Sequence, residues 1–181
     1  MRFVCIDTET TGLNPSRGSR LIEIGAVEIV SDQLKENFQY LIDPGINIPY
    51  YITNINGITT SMIRKRGLPT KIVLENLKEF IGDSILIFQN AGFDLTFLNY
   101  ELTLCNIEKI RNPFIDTIDM SREIYKNERK HNLDIICTRL SIEIENRHRA
   151  LGDARATAQA FIKMKKELKN FPEQFLKYKE Y

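Results

Sequence analysis

Cysteine is scarce in this chain. Cys5, Cys105 and Cys137 are odd in number, far apart, and without the spacing of a metal-ligand set. Each sits in an apolar pattern and reads as a small buried hydrophobe. There is also no apolar run of the roughly 20 residues needed to cross a bilayer. No cleavable signal pattern precedes the first strand, so the expected location is cytoplasmic and no membrane partner is expected. A dominant charge is missing too: 25 Lys and Arg against 24 Asp and Glu leave a net charge of +1. That excludes a strongly electropositive, non-specific nucleic-acid coat, but not an enzyme that grips a few phosphates. Repeats, low-complexity tracts and convincing linkers are likewise absent. With 181 residues, 43% of them hydrophobic, one domain over 1–170 is expected, followed by a short aromatic and basic tail over 171–181.

What is present begins at the N-terminus. Residues 3–6 are apolar and partly β-branched, which predicts a buried strand. The strand period of two then sends Asp7 and Glu9 to one side and Thr8 to the other. Two carboxylates at the end of a buried strand are costly without a positive charge between them. The nearest Lys or Arg residues in sequence are Arg2 and Arg17. A divalent cation is the natural candidate, and oxygen donors suit Mg²⁺ or Mn²⁺ rather than zinc. A solvated strand end is the competing reading of the pair taken alone.

Residues 21–30 and 38–42 predict two further strands around a turn at Ser31-Asp32-Gln33, giving an antiparallel meander. Residues 46–57 read as an irregular crossover. Thr59-Thr60-Ser61 can cap a short helix, and Thr70 a longer one that ends at Gly82. The apolar run 84–88 predicts a central strand covered on both faces. A turn at Gln89-Asn90-Ala91-Gly92 leads into another helix. A short strand at 113–116, a helix to about Tyr125, a helix over 133–140 and a last helix over 150–168 follow. The expected fold is α/β: a mixed five-stranded sheet, three antiparallel strands then parallel ones, flanked by helices.

Two more clusters carry chemistry. Asp94, in Asn90-Ala91-Gly92-Phe93-Asp94, stands in the first turn of a helix leaving the central strand. It reads equally as a partner of its own helix dipole and as part of a site at the strand ends. In Arg147-His148-Arg149-Ala150-Leu151-Gly152-Asp153-Ala154, His148 precedes the last helix and Asp153 lies near its start. Taken singly, these read as a surface histidine and a helix-end acid.

Taken together, Asp7-Thr8-Glu9-Thr10-Thr11-Gly12-Leu13, Asn90-Ala91-Gly92-Phe93-Asp94 and His148-Arg149-Ala150-Leu151-Gly152-Asp153-Ala154 resemble the three motifs of the DnaQ-like superfamily. These are the DEDD 3′→5′ exonucleases, in the subgroup whose third motif carries His. Arg20-Leu21-Ile22-Glu23-Ile24-Gly25-Ala26-Val27, Asn56-Gly57-Ile58-Thr59 and His131-Asn132-Leu133-Asp134 fit as well. The resemblance covers residues 3 to about 163 and is strongest to the epsilon-type proofreading exonucleases of bacterial DNA polymerase III.

The resemblance implies a ribonuclease H-like fold in which Asp7, Glu9, Asp94 and Asp153 converge to hold two divalent metal ions, Mg²⁺ or Mn²⁺. It implies His148 as general base and a nucleoside 5′-monophosphate released from a nucleic acid 3′ end. It further implies contacts to the terminal nucleotide from Thr8, Thr10, Thr11, Leu13, Ile58 and Asn90, with Leu13 as a wedge and Ile58 against the base. Gln89 and Asn56 depart from the family, which often has His at both places. Neither is a ligand or the base, so altered contacts around the terminal nucleotide are expected rather than lost activity. The expected activity is DNA 3′-end hydrolysis of proofreading or repair type, with a DNA polymerase subunit as a possible partner. The alternatives are an exoribonuclease trimming RNA 3′ ends, or a non-catalytic polymerase-associated subunit.

Overall fold

The structure, a computed structural model, describes residues 1–169 and 171–178; Asn170 and residues 179–181, the end of the expected tail, lie outside it. Strand β1 (Arg2–Thr10) runs through the middle of the sheet. It pairs antiparallel with β2 (Leu21–Val30), which pairs antiparallel with β3 (Gln33–Asp43). Between β2 and β3, Ser31 and Asp32 both have positive φ, at 51° and 59°. Two left-handed residues in a row form the tight turn whose twist matches that of a hairpin. On its other side β1 pairs parallel with β5 (Ile85–Phe88), and β5 pairs parallel with β6 (Phe114–Asp116).

Among the described residues the sheet has six strands, not five, in the order β4-β3-β2-β1-β5-β6. The extra strand, β4 (Leu68–Pro69), is two residues paired with Ile42 and Asp43 of β3. Two residues carry no period, so nothing in the sequence could announce it. The supposedly irregular crossover contains helix α1 (Tyr50–Asn56), which begins after Pro49 and stops at the left-handed Gly57. Tyr50, Tyr51 and Ile55 are exposed on it, so it lacks the apolar stripe by which helices are recognised. Helix α2 (Thr60–Arg66) is capped as expected, the Thr59 hydroxyl accepting from the Met62 N–H at 3.1 Å. In α3 (Thr70–Ile81), by contrast, Pro69 holds the cap position and Thr70 is already helical.

Alternation along β1 divides the core in two. Val4 and Ile6 face α3 and α4 (Ala91–Leu104) with Leu77, Leu95 and Leu98. Phe3 and Cys5 face the opposite layer of α5 (Thr117–Ile124), α6 (Leu133–Arg139) and α7 (Ala150–Glu167), through Met120, Ile136 and Phe161. Phe171 and Phe175 of the tail join this second layer. Lys177 exchanges two backbone hydrogen bonds of 2.9 Å with Phe114 on the edge of β6. No helix among the described residues is long and apolar enough to cross a membrane.

Continuing the alternation past the core sends Asp7 and Glu9 toward α7, and Thr8 toward α4. The polar half of β1 belongs to the strand rather than to its end, because its partners in β2 continue through Glu23 to Leu21. α7 approaches so closely that a Cβ on Gly25, the cross-strand partner of Asp7, would stand 2.2 Å from the Leu151 nitrogen. Only glycine allows this contact, which puts the start of α7 beside Asp7.

Candidate active site

Three carboxylates meet where β1 leaves the core. Asp7, Glu9 and Asp153 each present an oxygen, and the three oxygens lie within 4.8 Å of one another. Asp153 enters from the first turns of α7. Asp94 enters from the other face of β1, where Thr8 Oγ1 donates to its Oδ1 at 2.7 Å. Asp94 accepts from its own backbone N–H in the first turn of α4, while the N–H groups of Asn90 and Ala91 at the helix start are taken by the Asp116 carboxylate at 3.0 and 2.9 Å. Asn90 is exposed and left-handed, at φ 70°.

The electrostatics follow from burial. Desolvation, with Asp94, Asp153 and Glu9 nearby, drives the Asp7 carboxyl well above the usual range. Burial raises Glu9 to about 7 against the hydrogen bond from Asn56 Nδ2 at 3.0 Å. It raises Asp94 to about 7 against the bond from Thr8. Asp153 is raised for the same reason, with Arg147 and His148 opposing. Such a cluster holds protons or cations, and it is poorly served by the chain's own donors. Asp153 Oδ1 is buried and, among the described residues, accepts no hydrogen bond. An orphaned buried carboxylate oxygen beside two further acids is a donor set that fits a hard divalent cation.

His148 is exposed and left-handed, at φ 63°, with Nδ1 at 3.3 Å from Arg147 Nη1. The remaining predicted residues divide. Leu13 is 87% exposed at the tip of the loop after β1. Thr10 and Thr11 are buried in loop-forming bonds: Thr10 Oγ1 donates to the Gly12 carbonyl at 2.6 Å, and Thr11 Oγ1 accepts from the Arg20 N–H at 2.8 Å. Ile58 departs from expectation. It is wholly buried with Ile22, Ile48, Ile52 and Ile63, so it supports the wall of the site from beneath and offers no surface to a base.

Other residues at the site were not singled out from the sequence. Glu23, fully buried, accepts from Arg149 Nε and Nη2 at 3.0 and 2.6 Å, from the Ala150 N–H at 3.0 Å and from Gln39 Nε2 at 3.0 Å. It thereby anchors the start of α7. Arg20 and the buried Glu101 pair at 2.6 and 2.8 Å and tie α4 to the loop carrying Leu13. The exposed Tyr51 of α1 holds its hydroxyl 3.7 Å from where a Gly12 Cβ would stand. A charged residue inside an otherwise apolar strand, such as Glu23, is the sequence signal that points to a buried partner.

The family model described as "Exonuclease" matches residues 4–161. The PolC-type DNA polymerase III of Clostridium perfringens is 39% identical over 171 residues, covering 92% of this chain but 12% of that protein. The chain therefore spans only a small part of that relative. The DNA polymerase III subunit epsilon of Rickettsia felis is 37% identical over 171 residues, covering 91% of this chain and 74% of the subunit. In fold the chain is like exonuclease X, solved in complex with 5′-overhanging duplex DNA. The TM-score is 0.75 at 20% identity, over 96% of each chain.

Proposed function

The chain belongs to the exonuclease family; from that premise we propose that it is a metal-dependent 3′→5′ exonuclease, hydrolysing phosphodiester bonds at DNA 3′ ends in proofreading or repair and releasing nucleoside 5′-monophosphates. The observation that carries this reading is the meeting of Asp7, Glu9 and Asp153 within 4.8 Å, beside the orphaned Asp153 Oδ1. Two divalent ions, Mg²⁺ or Mn²⁺, held by these acids and Asp94, would supply Lewis acidity and neutralise charge on the reacting phosphate.

The chain's own groups do the rest. His148 takes the proton of the attacking water; its exposed loop position lets the ring reach the incoming phosphate. Leu13 wedges against the last nucleotide. Tyr50, Tyr51 and Ile55 expose an apolar face on α1, the helix whose Asn56 reaches Glu9. A splayed base can stack there, because every base has a π-face. Thr10, Thr11 and Asn90 shape the backbone that the sugar and phosphate approach. We assign the catalytic domain to 1–170; of the 171–181 tail, Phe171 and Phe175 pack into its core and Lys177 pairs with the edge of β6. A DNA polymerase is the proposed protein partner and the cytoplasm the proposed location, in keeping with the epsilon-type relatives.

The test uses a 3′-mismatched DNA duplex, its paired counterpart and a single-stranded RNA of equal length, in Mg²⁺, Mn²⁺ or excess chelator. A metal-dependent ladder shortening from the 3′ end, fastest on mismatched DNA, is expected. A ladder on RNA alone would move the protein to RNA trimming. No cleavage would leave it a non-catalytic polymerase-associated subunit.

A further inference from the structure

Arg147 sits inside the acid cluster. Its Nε and Nη2 donate to Asp134 at 2.7 and 3.2 Å, a bidentate fork. Its Nη1 donates to Asp153 Oδ2 and lies 3.3 Å from His148 Nδ1. One guanidinium thus bridges an exposed acid of α6 and a buried acid of the proposed metal site. The two neighbours of Arg147 in the chain, Asn146 and His148, are both left-handed, at φ 52° and 63°. A segment flanked by two such residues holds its shape only if something fixes it, and Arg147 supplies the fixing bonds. Its charge also lowers the carboxyls of Asp7 and Glu9. Arg149 is different in kind: its partner Glu23, the buried cross-strand neighbour of Glu9, has a full set of donors.

We propose that Arg147 is the resident counter-cation of the acid cluster: it holds Asp153 while no metal is bound, and yields Asp153 to the metal while keeping Asp134. The inference rests on the metal site of the preceding section. Three consequences follow from the geometry. The third acid stays in place in the metal-free protein, so the site is preformed. Metal affinity is set partly by an intramolecular competitor, because guanidinium and metal want the same carboxylate and repel one another. Asp134 is the position to which the displaced charge retires, which keeps the His148 loop tied to α6 in both states.

Mn²⁺ binding to the full chain at pH 8, followed by titration calorimetry, tests this. Arg147→Gln should bind Mn²⁺ about tenfold more tightly than the parent, the scale of removing one nearby like charge. The same variant should melt at a lower temperature in chelator, and no lower than the parent in saturating Mn²⁺. Asp134→Asn should weaken Mn²⁺ binding while Arg147 is present, and leave it unchanged in the Arg147→Gln background. A merely structural pair would not show that coupling in metal affinity. Arg147→Lys, which keeps the charge and loses the fork, should stay within about threefold of the parent; it guards against a Gln variant that fails to fold, and tighter binding by it would contradict the inference. Equal or weaker binding by Arg147→Gln overturns the counter-cation role and leaves the metal site standing. Absence of Mn²⁺ binding by the parent removes both.

Discussion

Glu9 and Glu23 face one another across β1 and β2, yet one is a finished piece of structure and the other is not. Glu23 takes four hydrogen bonds, two of them from a guanidinium, and closes the joint between β2 and α7. Glu9 takes one, from Asn56, and its carboxyl rises to about 7. Both acids lie in the same part of the sheet, so position does not separate them; compensation does. An acid whose donors are supplied by the fold holds the fold, whereas an acid left short of donors is available to a ligand. Asp7 and Asp153 fall with Glu9.

The comparison predicts opposite responses to removing an acid. Asp7→Asn should cut turnover by about 10³-fold or more, since a metal's contribution amounts to several kcal/mol. The same change should raise the melting temperature in chelator, because a crowded charge is relieved. Single-turnover cleavage and thermal denaturation of one preparation check both signs together, and a loss of stability would place Asp7 on the structural side. Glu23→Ala should lower stability by about 3–5 kcal/mol, the usual cost of stranding a buried charge, here Arg149. Denaturant unfolding measures it. A change under about 0.5 kcal/mol would show that the joint with α7 does not depend on this pair.

Much of this site was legible from the chain, for local reasons. The two-residue period of β1 put Asp7 and Glu9 on one side and Thr8 on the other, and the continuous apolar run of β5 marked a strand covered on both faces. Family resemblance, rather than spacing, brought in Asp94 and Asp153, which lie far along the chain. Four things were not legible. Ile58 goes inward because Ile22, distant in sequence, encloses it together with Ile48, Ile52 and Ile63. α1 lacks a core-facing stripe. β4 is too short to show a period. Arg147 looked like one more basic residue before a helix, and only the approach of α6 to α7 gives it Asp134 and Asp153 as partners. Alternation and capping are written within a few residues, whereas compensation of a buried charge depends on what the fold brings from elsewhere.

The most direct test is thermal unfolding between pH 5 and pH 8, in chelator and in saturating Mn²⁺. Glu9 and Asp94 titrate near 7 in the metal-free folded chain, and near their ordinary values of 4.5 and 3.8 once unfolded. Between these limits the folded state holds protons that the unfolded state has released, so stability falls as pH rises through this window, and the raised carboxyls of Asp7 and Asp153 act in the same direction. Asp43 and Asp134, held below the ordinary value by arginine partners, are ionised in both states across this window. In chelator the melting temperature should therefore drop from pH 5 to pH 8. In Mn²⁺ it should rise instead, as metal replaces protons. A metal-free melting temperature that is flat or climbs over this range would mean that the fold already compensates these acids, contrary to the contrast between Glu9 and Glu23.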